Sequence, residues 1–457
     1  MTDASTWLGG WRAAHDAGRR EAAAATDATI TRWSWVLLVL TMLYVLIGNT
    51  PYQHEAVFPD PTATSAKISP VNRYAWLLLT AGALPILWVR RHELIPALQR
   101  LWPLCLLFVW FLATTTWALD PTPSKRRLFL YALDVVICVA ICLGLKDSRR
   151  IHGALATACA VVIGIDLASW IVAPKASMTF LGLAAIHSHK NTLGAVMLLS
   201  GIVVGAYLFT LKRLSQKLLW GAIFLGCLAL MVASRSKTSL AILLAVGAFA
   251  PALLLALKLR SELLLGLALS GASLVVGGLL AYLAFCFANG TDPLWFLARI
   301  TFTGRTDVWG FTFGEWLKRP WTGFGFGSFW DIDPQLQPDL KTDWWFAQPT
   351  APTNESHNGY LDLLVTTGVP GLVGALLILF RWMLRSLGTL RGALRSPTWR
   401  APGVPYLTYL GLFPLLFFAH NWMESTYYNA NTIFGFVILL AGVDIDLKFR
   451  SRPPAVA

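Results

Sequence analysis

Long apolar runs alternate with short polar breaks along almost the whole chain. Twelve such runs are centred on residues 33–49, 74–89, 101–119, 128–145, 153–173, 191–211, 218–233, 238–257, 262–286, 360–383, 404–419 and 431–447. A helix of about 17–25 mostly apolar residues crosses the hydrocarbon core of a bilayer. The pattern therefore predicts an all-α polytopic membrane protein with about 12 transmembrane helices. One break is unlike the others: roughly 70 residues separate the ninth and tenth runs, far more than an ordinary connection needs, and a loop that long points to function. The expected organisation is an N-terminal segment over 1–32, helices over 33–286, a large loop over 287–358, helices over 359–448 and a tail over 449–457.

The first run, WSWVLLVLTMLYVLIG, follows about thirty polar residues, and no small-residue cleavage site closes it. It reads as a retained anchor, with WRAAHDAGRREAAAA before it as a surface helix. Composition agrees with the class: 56% of the residues are hydrophobic and only 13% charged, about half the charge that a soluble domain carries.

Charge then orients the chain. With the N-terminus inside, alternate loops collect 23 of the 37 Lys and Arg residues, as cytoplasmic loops do. Lys125, Arg126 and Arg127 dissent, because they fall outside. Both termini are expected to be cytoplasmic, and the net charge of +13 is a topology signal that gives no reason to invoke nucleic acid. All six cysteines lie in apolar runs without metal-type spacing, which argues against disulfides and a thiolate metal site.

Polar chemistry gathers on the other, external face. Between the fifth and sixth runs stands AIHSHKNTLG, with His187, His189, Lys190 and Asn191; between the seventh and eighth stands SRSKTS, with Arg235 and Lys237. The long loop carries FTGRTDVWGFTFGEWLKRPWTGFGFGSFW and ends at NESHN, and the last external loop reads AHNWMESTYYNAN. Arg235 and Lys237 either snorkel to the interface or bind an anion, and a short loop on the side that the charge rule disfavours tilts the choice to anion binding. His187 and His189 have the spacing of zinc ligands but lack a partner motif such as H-E-x-x-H. The tryptophans of the long loop fit either an interfacial belt or flat platforms for sugar rings. The glycines of TGFGFGSFW do not fit a phosphate-loop frame. Asp134 and Asp166 are acids inside spans, either functional or paired with a neighbouring arginine.

Five pieces in order carry a resemblance: HSHKNTLG at 187–194, SRSKTSL at 234–240, TGRTDVW at 303–309, RPWTGFGFGSFW at 319–330 and ESHNGYLDLLVTTGVPG at 355–371. From about residue 180 to 385 the chain resembles the bacterial O-antigen ligases and the O-antigen and exopolysaccharide polymerases, the Wzy/WaaL/ExoQ-like superfamily. The HKN–TLG and SHNGYLD forms look closest to the exopolysaccharide polymerase branch, since ligases more often show an N-P-N-like sequence at the first position.

The resemblance implies a GT-C-like, inverting membrane glycosyltransferase of the bacterial inner membrane whose active site faces the periplasm. Its donor is a glycan on undecaprenyl diphosphate, its acceptor another repeat unit or a lipid A core, and export and chain-length proteins are possible partners. The alternatives are a ligase to lipid A core and, more distantly, a polysaccharide transporter, for which internal repeats are not evident. No cofactor is expected. A diphosphate leaving group needs positive charge, and with no acidic metal cage in the sequence arginines are the expected source. Arg235 and Arg305 match the family's arginine positions, with Lys190 as a third cation and His189, Asn191, Lys237, Glu355 and Asn358 as further substrate-binding candidates. His357, just before an apolar helix, is the expected catalytic base. The helix dipole and nearby cations should depress its pKa and keep it neutral, with Glu355 holding its tautomer. The plain alternative is a helix cap with Ser356 as N-cap.

Overall fold

The computed structural model describes residues 4–54, 69–259, 286, 304–348, 353–395, 403–429 and 432–449. Helices α1 (Ala4–Ile47), α2 (Pro70–Val89), α3 (Arg91–Arg100), α4 (Trp102–Thr114), α5 (Pro121–Gly144), α6 (Ser148–Val172) and α7 (Pro174–Ser177) come first. A two-stranded antiparallel ribbon follows, β1 (Met178–Thr179) with β2 (Gly182–Leu183). After it come α8 (Lys190–Leu208), α9 (Leu214–Ser234), α10 (Lys237–Lys258), α11 (Arg305–Lys318), α12 (Gly359–Arg395), α13 (Val404–His420) and α14 (Ile433–Lys448).

Seven of the described helices are long and apolar enough to cross a membrane: α1 from Glu21 onward, α5, α6, α8, α9, α10 and α12. The pair α3 and α4, bent by 80°, makes an eighth if it is one span, and α13 is a shorter apolar helix. The chain is an all-α polytopic membrane protein. The sequence pattern differs from it in detail. The run at 101–119 becomes a short helix after a sharp bend, and the expected surface helix and first anchor merge into the single helix α1. The run at 262–286 lies, except for Cys286, outside the described residues.

Local chemistry sets several helix starts. Ser69, Asp120 and Asp147 accept hydrogen bonds from Asn72 N, Thr122 N and Arg149 N, and Pro70 and Pro121 stand at the first helical positions of α2 and α5. An oxygen-bearing cap satisfies a free N–H, and proline loses none there.

The two ends of the bundle differ in kind. At one end ion pairs tie the helices together. Arg90 pairs with Asp27, Lys146 lies 3.6 Å from Asp27, and Asp446 receives both Arg381 at 3.0 Å and Arg385 at 2.5 Å. Lys448 pairs with Asp444 and donates to Leu145 O at 2.7 Å. The opposite end carries the start of α5, the break in α12, the α11 region and the loop after α13.

At that end α12 is broken. Gly368 has φ 68° and ψ −176°, outside helical space, and Pro370 follows. The backbone groups thereby released are met by the segment 319–330: Phe324 N donates to Val365 O at 2.9 Å and Gly325 N to Thr366 O at 2.8 Å, while Pro320 O accepts from the freed Val369 N at 2.9 Å. Trp110 Nε1 takes Thr367 O at 2.9 Å. The glycines of TGFGFGSFW serve this docking: a Cβ at Gly323 would come 2.5 Å from Thr366 O, and one at Gly325 2.4 Å from Ala118. They allow close backbone approach, and no phosphate is needed to account for them. Arg127, from the dissenting cationic loop, fastens the same segment by donating to the carbonyls of Gly327, Trp330 and Asp331 at 2.5, 2.8 and 2.9 Å. Its position off the charge rule follows from this task.

Candidate functional site

The turn before α12 holds His357 in a backbone conformation that few non-glycine residues adopt, with φ 52°. Its neighbours fix it there. Ser356 N donates to Asp362 Oδ1 at 3.2 Å, Ser356 O accepts from Trp309 Nε1 at 3.0 Å, and Ser356 Oγ donates to Asn358 O at 2.8 Å. Asn358 is the helix cap, because its Oδ1 accepts from Tyr360 N at 3.1 Å and Leu361 N at 3.2 Å. The cap is therefore Asn358, and not Ser356 as the plain alternative had it. Asn358 is buried with its side-chain oxygen occupied, so its observed task is to orient the turn. Gly359 N reaches across to Asn421 O at 2.9 Å, which brings the loop after α13 against the turn.

That loop delivers Glu424, the residue that sequence reasoning missed. His357 Nδ1 stands 2.7 Å from Glu355 Oε1 and 3.8 Å from Glu424 Oε2. Glu424 Oε1 in turn receives Arg305 Nη2 at 3.3 Å, while Arg305 Nη1 donates to Met423 O at 2.5 Å. The four side chains are 18–35% exposed, open enough to meet a substrate and closed enough to interact strongly. Three of the nominated residues, Arg305, Glu355 and His357, are thus brought together, and Glu424 joins them. The only cue to Glu424 in the sequence was an acid in the loop AHNWMESTYYNAN.

The electrostatics correct one expectation. Burial works against a charged imidazole, but the carboxylates of Glu355 and Glu424 outweigh burial and the repulsion of Arg305, and His357 is pushed up to about 9. The expected depression does not occur, because two carboxylates at contact range dominate a helix dipole. His357 is an imidazolium at neutral pH. On Glu424 burial acts upward, yet His357 and Arg305 together hold its carboxyl below the ordinary range.

The other nominated cations form a second group. His189 caps α8, its Nδ1 accepting from Asn191 N at 3.2 Å, and Lys190 opens that helix half-buried. Arg235, at φ 54°, and Lys237 lie exposed at the turn from α9 to α10. Gly194 packs against that turn so closely that a Cβ would come 2.5 Å from Ser236 Cβ, so the start of α8 and the α9–α10 turn adjoin. Arg235, Lys237 and Lys190 form no salt bridge among the described residues. His187 is buried against Asp166 at 3.1 Å, which gives that intramembrane acid a histidine partner in place of the arginine considered from sequence. Of the long-loop tryptophans, Trp330 is buried and donates to Asp362 Oδ1 at 2.9 Å, Trp309 braces Ser356, and Trp321, Trp344 and Trp345 are exposed. Trp295 lies outside the described residues.

Glu355, His357 and Glu424 each offer one ligand atom, all within 4.8 Å of one another, and these are the residues that would hold a divalent cation. No spacing in the sequence marks this set, since Glu424 comes from a separate loop. An imidazolium already paired with two carboxylates, one of them also bound by Arg305, satisfies the charges of the set without a metal.

Beside the cluster lies a cavity of about 210 Å³, with Glu355, Asp362, Trp330 and Tyr428 in its wall. Comparison with curated proteins returns no match. Residues 222–376, about a third of the chain, match the family model Wzy_C, described as O-antigen ligase. The match takes in Arg235, Arg305, Glu355 and His357 and stops short of Glu424. On that segment, with its arginines and its helix-capping SHN turn, the chain is similar to the O-antigen ligase family.

Proposed function

We propose that this protein is an inverting, lipid-diphosphate-dependent glycosyltransferase of the bacterial inner membrane, with the His357 end of the bundle facing the periplasm. The observation that carries the reading is the chain of contacts Arg305–Glu424–His357–Glu355 at the start of α12. It sets two cations and two carboxylates at one helix end beside a cavity. A hydroxyl of the acceptor sugar attacks the anomeric carbon of the undecaprenyl-diphosphate-linked glycan, and the carbon–oxygen bond to phosphate breaks. The lipid diphosphate leaves with the electron pair. One displacement inverts the anomeric centre.

Arg305 and the His357 imidazolium supply positive charge where it develops on the leaving group, an arrangement worth about 3–4 kcal/mol per well-placed donor. A diphosphate that draws Arg305 away leaves Glu424 wholly to His357, so donor binding keeps the imidazole charged. The proton of the attacking hydroxyl then goes to the carboxylate of Glu355, which lines the cavity. Arg235, Lys237 and Lys190, with His189 and Asn191, form the second cationic group and guide the lipid diphosphate toward the site. Repeat-unit polymerisation is the reading favoured by the HKN and SHNGYLD forms. Transfer to lipid A core is the second reading, favoured by the description O-antigen ligase.

The test is reconstitution in liposomes with a lipid-linked oligosaccharide and either free repeat unit or lipid A core as acceptor. Wild type should form a longer glycan or a glycosylated core, and His357→Ala neither. A wild-type protein that moves the oligosaccharide across the bilayer and transfers nothing would replace the transferase with a transporter.

A further inference from the structure

We infer that the cavity beside Glu355 is a subsite for one uncharged, hydroxyl-rich pyranose of the acceptor, and that it selects against acidic sugars. The inference rests on the transferase reading for the identity of the sugar as acceptor, while the subsite stands on its own observations.

The cavity holds about 210 Å³, below the roughly 300–1,000 Å³ that accommodates a drug-sized ligand, and suits a single ring. Its wall contains buried hydroxyls without a well-aligned hydrogen bond: Ser425 Oγ, in a residue 6% exposed, and the Tyr428 OH, in one 4% exposed. Ser425 faces the Asp362 carboxylate and Tyr428 the Tyr427 hydroxyl, and each hydroxyl keeps hydrogen-bonding capacity for a ligand in the cavity. Trp330 and Tyr428 contribute aromatic surface to the wall, of the kind that packs on the apolar side of a pyranose.

Charge defines the class of sugar. Asp331, Glu355 and Asp362 line the cavity; Glu355 is paired with the His357 imidazolium, and the one lining cation, Arg127, is already bonded to three backbone carbonyls, which leaves Asp331 and Asp362 to set the charge of the wall. Carboxylates accept from sugar hydroxyls and repel a uronate or a phosphorylated ring. The backbone supports a built site as well. Asp331 and Tyr428 in the wall and the adjoining His357 are three of the six non-glycine residues with left-handed φ among the described residues. Strain of this kind persists where surrounding structure over-determines it, and it clusters at ligand sites.

The experiment uses the full-length protein in nanodiscs and saturation-transfer NMR with methyl glycosides of glucose, galactose and mannose, against methyl glucuronide. Wild type should bind at least one neutral glycoside and favour it several-fold over the glucuronide. Tyr428→Phe, which removes only the hydroxyl, should weaken the neutral glycoside about 3–10-fold. Asp331→Asn suits its left-handed backbone, since asparagine tolerates that region, and should narrow the gap to the glucuronide. Equal binding of neutral and acidic glycosides, or a gap unmoved by Asp331→Asn, overturns the charge selection. Transfer activity without glycoside binding removes the subsite and leaves the transferase; glycoside binding without any transfer does the reverse.

Discussion

Glu424 Oε2 lies 3.8 Å from His357 Nδ1, although the two residues come from different loops more than sixty residues apart in the chain. The same carboxylate holds Arg305 on its other oxygen at 3.3 Å. Glu424 therefore joins Arg305 to the histidine and, together with Glu355, keeps the imidazole charged. Because His357 is raised to about 9, its charged form is complete at neutral pH and lost as pH climbs through that value. If the imidazolium serves the leaving diphosphate, kcat/KM should hold through neutral pH and fall above about 9. His357→Gln, with no charge to lose, should be slower by about 10²-fold or more and should lack that alkaline limb. A rate that instead climbs toward pH 9 would restore the neutral imidazole as base.

Removing the bridge should move the limb. Glu424→Gln keeps the size and one hydrogen-bonding oxygen but takes away a carboxylate that raises His357. The alkaline limb should shift to lower pH, and activity at neutral pH should drop by about 10-fold or more, given that a hydrogen bond to a charged group is worth about 1.5–3 kcal/mol. A pH–rate profile that superimposes on wild type would show that Glu424 does not govern the histidine.

Arg305 uses both arms of its guanidinium, one on Met423 O and one on Glu424. Lysine has the charge without the planar fork. Arg305→Ala should lose about 10²–10³-fold in kcat, and Arg305→Lys should regain only part of it. Turnover assays on purified protein read this directly. Equal wild-type rates in both variants would make Arg305 an interfacial anchor.

Much of the architecture was legible in the sequence because membrane helices declare themselves by length and apolarity alone, as α5, α6, α8, α9, α10 and α12 do. The site was legible where its residues sit in local motifs: His357 and Glu355 lie two apart, and Arg305 opens a helix. Glu424 was not, since its meaning depends on the loop after α13 folding back so that Asn421 O meets Gly359 N. The charge state of His357 failed for the same reason, its second carboxylate being distant in sequence. The role of Arg127 was hidden too, because its partners are backbone carbonyls of the 319–330 segment, and carbonyls carry no sequence signature.

Gly368 tests the break in α12. Its backbone angles belong to a region essentially reserved for glycine, which other residues enter at a cost of about 1–3 kcal/mol. A Cβ there would also stand 2.2 Å from Trp321 O, in the segment that takes up the freed carbonyls. Gly368→Ala should lower the thermal midpoint and expose 319–330 to protease. Gly314→Ala, in α11 with nothing within 4 Å of the added methyl, should be neutral or slightly stabilising. Matching stability of the two variants would mean that the break needs no glycine.

Metal dependence is the sharpest remaining choice, because Glu355, His357 and Glu424 have the spacing of a cation site. A divalent ion there would need His357 neutral, whereas the two carboxylates favour its protonated form. It would also compete with Arg305 for Glu424, and the diphosphate would lose one of its cations to gain another. If Arg305 and the imidazolium carry the charge, activity should survive excess EDTA, and added Mg²⁺ or Mn²⁺ should change the rate by less than about 2-fold, below the ~3–4 kcal/mol that one catalytic charge supplies. Turnover of the reconstituted protein, with its metal content measured alongside, separates the outcomes. Activity abolished by EDTA and returned by Mn²⁺, together with loss of bound metal in Glu424→Gln, would assign the three side chains as ligands and remove the His357 imidazolium as a source of charge for the leaving group.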